Sequence, residues 1–247
     1  TSPVYQLKKH YPSIFEKVMA KEMNECNTLF KNNIEKKVFE KAFSESLNKN
    51  FDNHSKFFEF EFYTYPELGS SIFEINKCLI LGFYRASITL TNNVLERVLK
   101  LALIYNEVGI GPKPEENWNE IFSKPNEKYT SMPLGNSIEK CKKESLISEE
   151  EKKILFDTIR ELMRNGFSHS DPSKILKDLP DKFKAYQSTF SNPQEIKEIN
   201  LNHKVIPIFQ SMQMDNFAKE NAFEYFKFIF QLMKNIDNRL KAKFNIK

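Results

Sequence analysis

The feature that most constrains this chain is a long helical pattern of apolar residues from Ile72 to about Tyr105. Its apolar positions recur at helical spacing and cover more than half of the helix circumference. They are Leu81, Ile88, Leu90, Val94, Leu95, Val98, Leu99 and Leu101. A helix that is apolar on most of its surface must be covered by other elements, so this pattern predicts a central helix in an all-α bundle.

Composition favours the same fold class. The chain of 247 residues has only 6 glycines but 23 phenylalanines, and 40% of its residues are hydrophobic. Scarce glycine disfavours turn-rich all-β folds, whereas abundant Phe suits helix faces filled by aromatic rings. A chain of this size can bury a sizeable core without disulfides or structural metals.

Further helices are predicted on both sides of the central one. Apolar residues recur at helical spacing between Phe15 and Cys26, and again between Ile34 and Phe43. A short helix is predicted from Leu134 to Glu144, and Ser148-Glu149-Glu150-Glu151 has the pattern of a capping box that starts another. A long closing helix is predicted from about Asp215 to Phe244.

The remaining segments show weaker patterns. Residues 57–65 alternate Phe and Glu with the period of a strand, which predicts either an extended segment lying on helices or an edge that pairs with another copy. A polar connection is predicted from Gly109 to Pro133, and short helices or irregular structure from Pro172 to about Pro207. We therefore predict an N-terminal helical extension over 1–68 and a helical bundle over 69–247.

Charge gives little direction. The 37 Lys and Arg are nearly balanced by 33 Asp and Glu, for a net charge of +4 and a pI near 8.7. The balance favours an ordinary solvated surface over a dedicated nucleic-acid patch, although it does not disfavour a polyanionic partner.

Cysteine usage and hydropathy predict a cytoplasmic protein. Cys26, Cys78 and Cys141 are odd in number and far apart, which suggests neither a disulfide framework nor a metal cluster and fits a reducing compartment. No apolar run reaches the roughly 18 residues needed to span a bilayer, and Thr1 to His10 lacks the apolar core of a signal peptide. We predict no membrane association.

The histidines do not predict a metal site or another cofactor site. His10, His54, His169 and His203 are not spaced i, i+4 from one another, and none is near a cysteine. The chain also lacks the Gly-x-Ser-x-Gly pattern of hydrolases with a serine nucleophile. Any chemistry is therefore expected to be metal-independent and free of a cofactor.

One segment combines residues that suit RNA cleavage: Arg164-Asn165-Gly166-Phe167-Ser168-His169. Arg164 can hold phosphate oxygens bidentately, and His169 can take a proton from a ribose 2′-hydroxyl or give one to the leaving 5′-oxygen. On an ideal α-helix these two residues point about 140° apart, so they converge only if the helix distorts or ends near Gly166. The equally weighted alternative is an arginine at a helix C-terminus followed by a loop histidine.

The same segment resembles the Arg-Asn-x-x-x-His signature of the HEPN superfamily. The resemblance extends to Gly82-Phe83-Tyr84-Arg85-Ala86, to the approach from Leu134 and to the long closing helix, and so covers about residues 70–245. It implies a HEPN-like bundle that forms a homodimer with two motifs across a cleft. It also implies an endoribonuclease of prokaryotic defence or toxin-antitoxin systems, controlled by an antitoxin or regulatory protein. Gly166 departs from the β-branched residues or Ala often found there.

The resemblance also suggests roles for polar residues around Arg164 and His169. Asn165 would orient the imidazole or the phosphate. Asn92 and Glu96 lie on a polar stripe of the central helix and would position one of the two motif residues, although a solvated stripe is the plainer interpretation. Arg160 would add a phosphate contact, unless it pairs with acidic neighbours on the surface. Ser168, inside the motif, is predicted to be a supporting residue of the site.

Two other functions stay open at this point. The chain could be a non-catalytic HEPN-like module that binds RNA or a protein partner, or a structural helical dimer in which the motif is accidental. Cleavage of RNA in the presence of EDTA would identify a metal-independent ribonuclease, and its absence would favour one of these two alternatives.

Overall fold

The computed structural model describes residues 33–59, 61–168, 172–177, 180, 183–189, 192–202 and 204–246. The chain divides into two compact units, residues 1–51 and 52–247. In the smaller unit the described residues belong to helix α1 (Asn33–His54), which continues past the division. The helix predicted between Phe15 and Cys26 lies outside the described residues.

Helix α3 (Tyr84–Val108) forms the centre of the larger unit, as predicted. Its side chains at Ile88, Leu95, Val98 and Leu99 are fully buried. It packs against α2 (Gly69–Leu81) and against the helices that follow. An apolar surface on most sides of α3 is thereby removed from water, which is the main stabilising contribution available to such a bundle.

The predicted uninterrupted helix from Ile72 to Tyr105 is wrong at Gly82, where α2 ends. Gly82 adopts the left-handed conformation with φ +81°, and the Phe83 N–H donates to the Cys78 carbonyl at 2.7 Å. This is the pattern of a glycine-terminated helix, in which the turn satisfies the last carbonyls. The apolar periodicity continues through the break because α2 and α3 both face the same core.

The connection from Gly109 to Pro133 contains a helix that its polar sequence did not predict. A 3₁₀ turn (Glu115–Asn117) leads into α4 (Trp118–Thr130), which packs on α3. Within α4 the Tyr129 hydroxyl donates to Glu107 at 2.8 Å, joining its end to α3. Tertiary contact therefore supports a helix that includes Pro125, a residue unfavourable in helix interiors.

Helices α5 (Leu134–Lys143) and α6 (Glu149–Ile154) were predicted from local signals. The predicted helix after Ser148 continues beyond α6 as a π-helix (Leu155–Ser168), a geometry that was not predicted. Helix α7 (Pro172–Leu176) lies where short helices or irregular structure were predicted. The closing helix α8 (Pro207–Lys243) begins earlier than the predicted Asp215, with Pro207 in its first turn, where the missing N–H costs nothing.

A hairpin lies where short helices or irregular structure were predicted. Strands β1 (Phe183–Thr189) and β2 (Asn192–Leu201) pair antiparallel, with Phe183 opposite Leu201. Apart from this hairpin the described residues form helices, turns and irregular segments, so the all-α prediction is confirmed.

The described part of residues 57–65 contains no strand; it lies against the helices, as in the first of the two predicted alternatives. Phe57 ends a 3₁₀ turn (Ser55–Phe57), and residues 61–65 are irregular up to a second 3₁₀ turn (Pro66–Leu68). Phe57 and Phe62 both enter the core, where their rings lie 5.0 and 5.4 Å from that of Phe230. Core packing therefore holds this segment on the bundle, and the segment is part of the larger compact unit, residues 52–247.

Candidate functional site

The helical segment that carries Arg164 begins with the predicted capping box. The Glu151 N–H donates to the Ser148 hydroxyl at 3.1 Å, and the Ser148 N–H donates to the Glu151 carboxylate at 2.6 Å. Asn235 and Arg239 of α8 each donate to the same carboxylate at 2.7 Å. This first turn is therefore joined to α8 by a nearly buried carboxylate with three donors.

Beyond α6 the helix changes to π geometry over Leu155–Ser168. Its buried face carries Leu155, Ile159, Met163 and Gly166. In a π-helix the N–H of residue i+5 donates to the carbonyl of residue i. Residues five positions apart therefore lie on the same face of the helix, separated by about one turn. In an α-helix they would point about 140° apart. The distortion that the Arg164–His169 spacing requires is thus present in the helix up to Ser168.

Asn92 is buried beneath this π-helix rather than exposed in a cleft. Its amide donates to the Met163 carbonyl at 3.0 Å, and its oxygen accepts from the Tyr225 hydroxyl at 2.6 Å. Met163 directly precedes Arg164. Asn92 therefore joins α3, the π-helix and α8, and it fixes the backbone next to the arginine.

Glu96 lies one turn further along α3 and is half-buried. Burial, reinforced by the negative charge of Glu96, raises the pKa of Tyr225 well above its ordinary value. Tyr225 therefore stays protonated at any physiological pH and remains the donor to Asn92. Arg85 and Thr89, which lie on the same polar stripe of α3, are exposed. Asn92 instead contacts the π-helix and α8.

The guanidinium of Arg160, a residue predicted to add a phosphate contact, packs on an aromatic ring. It lies 4.9 Å from the centre of the Phe156 ring, and the side chain is half-buried. A Cβ built on Gly135 would lie 3.2 Å from its Nη1. Glycine in the first turn of α5 therefore leaves room for the guanidinium between that helix and Phe156.

The end of the π-helix rests on a small apolar cluster. Phe167 packs against Phe217 of α8 with ring centres 6.0 Å apart, and both contact a cluster of three buried residues. Its members are Ile175, Leu176 and Met214. No local pattern predicted this cluster, because Phe167 and Phe217 are distant in sequence.

A cavity of about 670 Å³ and one of about 490 Å³ open elsewhere on the larger unit. The second lies at the start of α3, beside Arg85, which donates to Asp215 at 2.6 Å and to the Ser211 carbonyl at 2.6 Å. Ala218 lines this cavity and follows Phe217, the residue that packs on the π-helix.

The predicted catalytic residues are only partly described. Arg164, Asn165 and Ser168 lie on the π-helix, but their side chains are outside the described part of the structure, as is the whole of His169. Convergence of Arg164 and His169 therefore stays a prediction. Asn92 contacts the motif helix at the Met163 carbonyl, and Tyr225, which the sequence did not indicate, completes its hydrogen-bonded chain. Glu96 lies near enough to Tyr225 for its charge to raise the pKa of that residue.

The described residues contain no group of three or more His, Cys, Asp or Glu able to hold a metal ion. Cys78 and Cys141 are free thiols, and burial raises the pKa of both. None of the helices described is both long and apolar enough to cross a membrane.

Comparison with known proteins found no family model, no curated protein and no solved structure that matches the chain.

Proposed function

We propose that this protein is a metal-independent endoribonuclease of the HEPN type that cleaves RNA by attack of a ribose 2′-oxygen. The proposal rests on the Arg164-Asn165-x-x-x-His169 segment and its resemblance to the signature of that superfamily. A role in prokaryotic defence or in a toxin-antitoxin system, under control of an antitoxin or regulatory protein, follows from the same resemblance.

The π-helix is the observation that best supports the proposal. Its hydrogen-bond spacing brings residues five apart onto one face, and five is the separation of Arg164 and His169. We propose that this face continues to His169, so that guanidinium and imidazole meet the same phosphodiester. π-helical turns occur often at functional sites. This π-helix includes the motif from Arg164 to Ser168.

The proposed reaction needs only these groups. His169 takes the proton of the 2′-hydroxyl, the 2′-oxygen bonds to phosphorus, and the bond from phosphorus to the 5′-oxygen breaks. The leaving oxygen takes a proton from a second acid, which gives a 2′,3′-cyclic phosphate and a 5′-hydroxyl. Arg164 holds the non-bridging oxygens throughout, and Asn165 orients the phosphate or the imidazole.

A homodimer supplies the second acid. Each chain carries one Arg164 and one His169, and the reaction requires a base and an acid at once. Two motifs facing one another across a two-fold axis would provide both. A monomeric mass in solution at the protein concentration that cleaves RNA would contradict this composite site.

The deciding experiment incubates the purified protein with labelled RNA in EDTA, beside His169→Ala and the matched control His10→Ala. Loss of the imidazole at position 169 should lower the cleavage rate by about 10² to 10⁴, the usual contribution of proton transfer, and leave RNA affinity nearly unchanged. His10→Ala should cleave like the wild type. RNA binding by the wild type without cleavage would favour the non-catalytic module instead.

A further inference from the structure

A second candidate site lies on the side of the bundle formed by residues 61–69 and the end of α8. The cavity of about 670 Å³ there has the size of a small-ligand pocket. Most of the residues that line it are aromatic: Phe58, Phe62, Tyr63, Tyr65 and Phe73. A Cβ built on Gly69, another lining residue, would meet nothing within 4 Å, so the space above α2 is open.

Two of these rings face the cavity rather than the core. Tyr63 is 45% exposed and Phe73 is 50% exposed, although Phe62, Thr64 and Tyr65 around Tyr63 are buried. The segment is fixed because the Thr64 N–H donates to the buried Asp237 carboxylate at 2.8 Å. Tyr63 is thus held outward on an anchored backbone, an arrangement that suits a planar ligand better than core packing does.

A smaller cavity of about 220 Å³ lies directly beside the first, and Tyr63 and Pro66 line both. It too has aromatic walls, from Tyr105 and Phe122, whose ring centres are 6.2 Å apart. The Tyr63 ring therefore stands between two adjacent compartments, each large enough for part of a flat ring system.

Each compartment also contains one half-buried lysine. Lys241 lines the larger cavity, where its ammonium lies 5.5 Å from the Tyr63 ring centre and 2.9 Å from Asp237. Lys113 lines the smaller one. An ammonium has three donors, so pairing with one carboxylate leaves Lys241 able to contact a phosphate. Aromatic rings interleaved with cations are the arrangement by which proteins bind single strands.

We propose that these two compartments bind successive nucleobases of single-stranded RNA, with Tyr63 between them. The proposal rests on the proposed function in taking RNA as the ligand, and it adds a binding site apart from the Arg164 segment. Base faces stack on Tyr63 and Phe73, while Lys241 and Lys113 contact the connecting phosphates. Glu61, in the lining of the larger cavity, only accepts hydrogen bonds and so favours a base with an exocyclic amino group, such as adenine.

The test measures binding of a labelled 2′-O-methyl oligoadenylate, which has no free 2′-hydroxyl and cannot be cleaved by the proposed route. The variants are Tyr63→Leu and Phe73→Leu, with Phe83→Leu as the matched control, because Phe83 is 49% exposed but lines neither compartment. Each of the first two should weaken binding by about 5- to 150-fold, the range of base–aromatic stacking. The control should bind like the wild type.

Equal binding by all three variants would overturn the proposal. Displacement of the oligonucleotide by AMP, with the total adenine concentration equal in both ligands, would also overturn it. The ligand would then be a free nucleotide. Failure of the proposed function has a different signature, in which binding at this site persists but ordinary RNA is not cut.

Photo-cross-linking of the wild type keeps the proposal testable if the variants do not fold. A single-stranded RNA containing 5-iodocytidine should cross-link to the peptide containing Tyr63 or to that containing Phe73. Cross-links confined to other peptides would contradict the site.

Discussion

The helical segment that carries Arg164 is held differently at its two ends. Its first turn is fixed by charge, because the Glu151 carboxylate accepts from Ser148, Asn235 and Arg239. Its second half is fixed by neutral groups, since the Met163 carbonyl accepts from the Asn92 amide, which in turn accepts from Tyr225.

The difference shows which part of the helix depends on its own sequence. A capping box is a local pattern and would start a helix in many settings. A π-helix is rare and short in most proteins, so the geometry of Leu155–Ser168 depends on tertiary contacts such as the Asn92 bond and the packing of Phe167. Substitutions in the first turn should therefore lower mainly stability, whereas substitutions in the second half should also lower RNA cleavage.

After His169→Ala, the largest effect is expected on activity at Arg164. Arg164→Ala should lower RNA cleavage by about 10² to 10³, the usual loss when one group that stabilises transition-state charge is removed. Arg164→Lys should restore part of it, because a point charge cannot reproduce a bidentate fork. Urea unfolding should change little, since Leu155, Ile159 and Met163 carry the buried face. Wild-type cleavage by Arg164→Ala would contradict the proposed role.

The largest effect on stability is expected at Glu151. Glu151→Ala removes the capping box and leaves Arg239 without its carboxylate, so the free energy of unfolding should fall by about 3 kcal/mol. Glu150→Ala changes an exposed neighbour in the same turn and should cost less than about 0.5 kcal/mol. Urea denaturation of both variants provides the measurement, and equal losses would show that the Glu151 contacts do not anchor the turn.

At the second half of the helix, Asn92→Asp should cost stability and activity together. Aspartate can still accept from Tyr225 but cannot donate to the Met163 carbonyl, so about 2 kcal/mol should be lost and cleavage should fall as the π geometry relaxes.

The matched control at the second half is Tyr225→Phe. It removes only the hydroxyl that donates to Asn92, and it should cost about 1 kcal/mol with cleavage preserved. If Tyr225→Phe lost as much cleavage as Asn92→Asp, the Met163 bond would not be what holds the motif.

Local patterns predicted much of the fold. The capping box at Ser148, the short helix after Pro133 and the closing helix all followed from residues within a few positions of each other. The break at Gly82 was missed even though glycine marks it, because apolar periodicity continues across the turn. The hairpin of β1 and β2 was missed because its sequence lacks a strong alternation and a short turn signal.

The candidate site was less predictable for a physical reason. The bond from Asn92 to Met163 joins residues 71 positions apart, and that from Tyr225 to Asn92 joins residues 133 apart. Spacing on one helix can show that Asn92 and Glu96 share a face, but not that Asn92 lies under a carbonyl of another helix. Similarly, the π geometry depends on packing and has no signature in the residues from Leu155 to Ser168.

The smallest expected effect is a difference in pH dependence between the two ends of the helical segment that carries Arg164. Of the contacts at these two ends, only those of Glu151 should contribute a stability that changes with pH. Burial acts to raise the pKa of Glu151, but hydrogen bonds from Ser148, Arg239 and Asn235 outweigh it and hold that pKa below its ordinary 4.5. A lowered pKa means that the carboxylate stabilises the folded state fully above about pH 4.5. This contribution is lost as the pH falls from there through the pKa of the folded protein, with a slope of at most about 1.4 kcal/mol per pH unit.

The same titration must be separated from that of His54. Burial, followed by the charge of Lys56, lowers the pKa of His54 from 6.5. The contribution of neutral His54 to folding stability therefore starts to be lost as the pH falls below about 6.5, at a higher pH than that of Glu151. Comparing variants removes this shared background. The loss in the free energy of unfolding caused by Glu151→Gln should be constant above about pH 5 and shrink below about pH 4.5. The loss caused by Asn92→Ala should not change with pH in this range, because no group in the Asn92–Met163 contact titrates in it. Urea unfolding across this range measures both, and parallel behaviour of the two variants would show that the ends are not held by different kinds of contact.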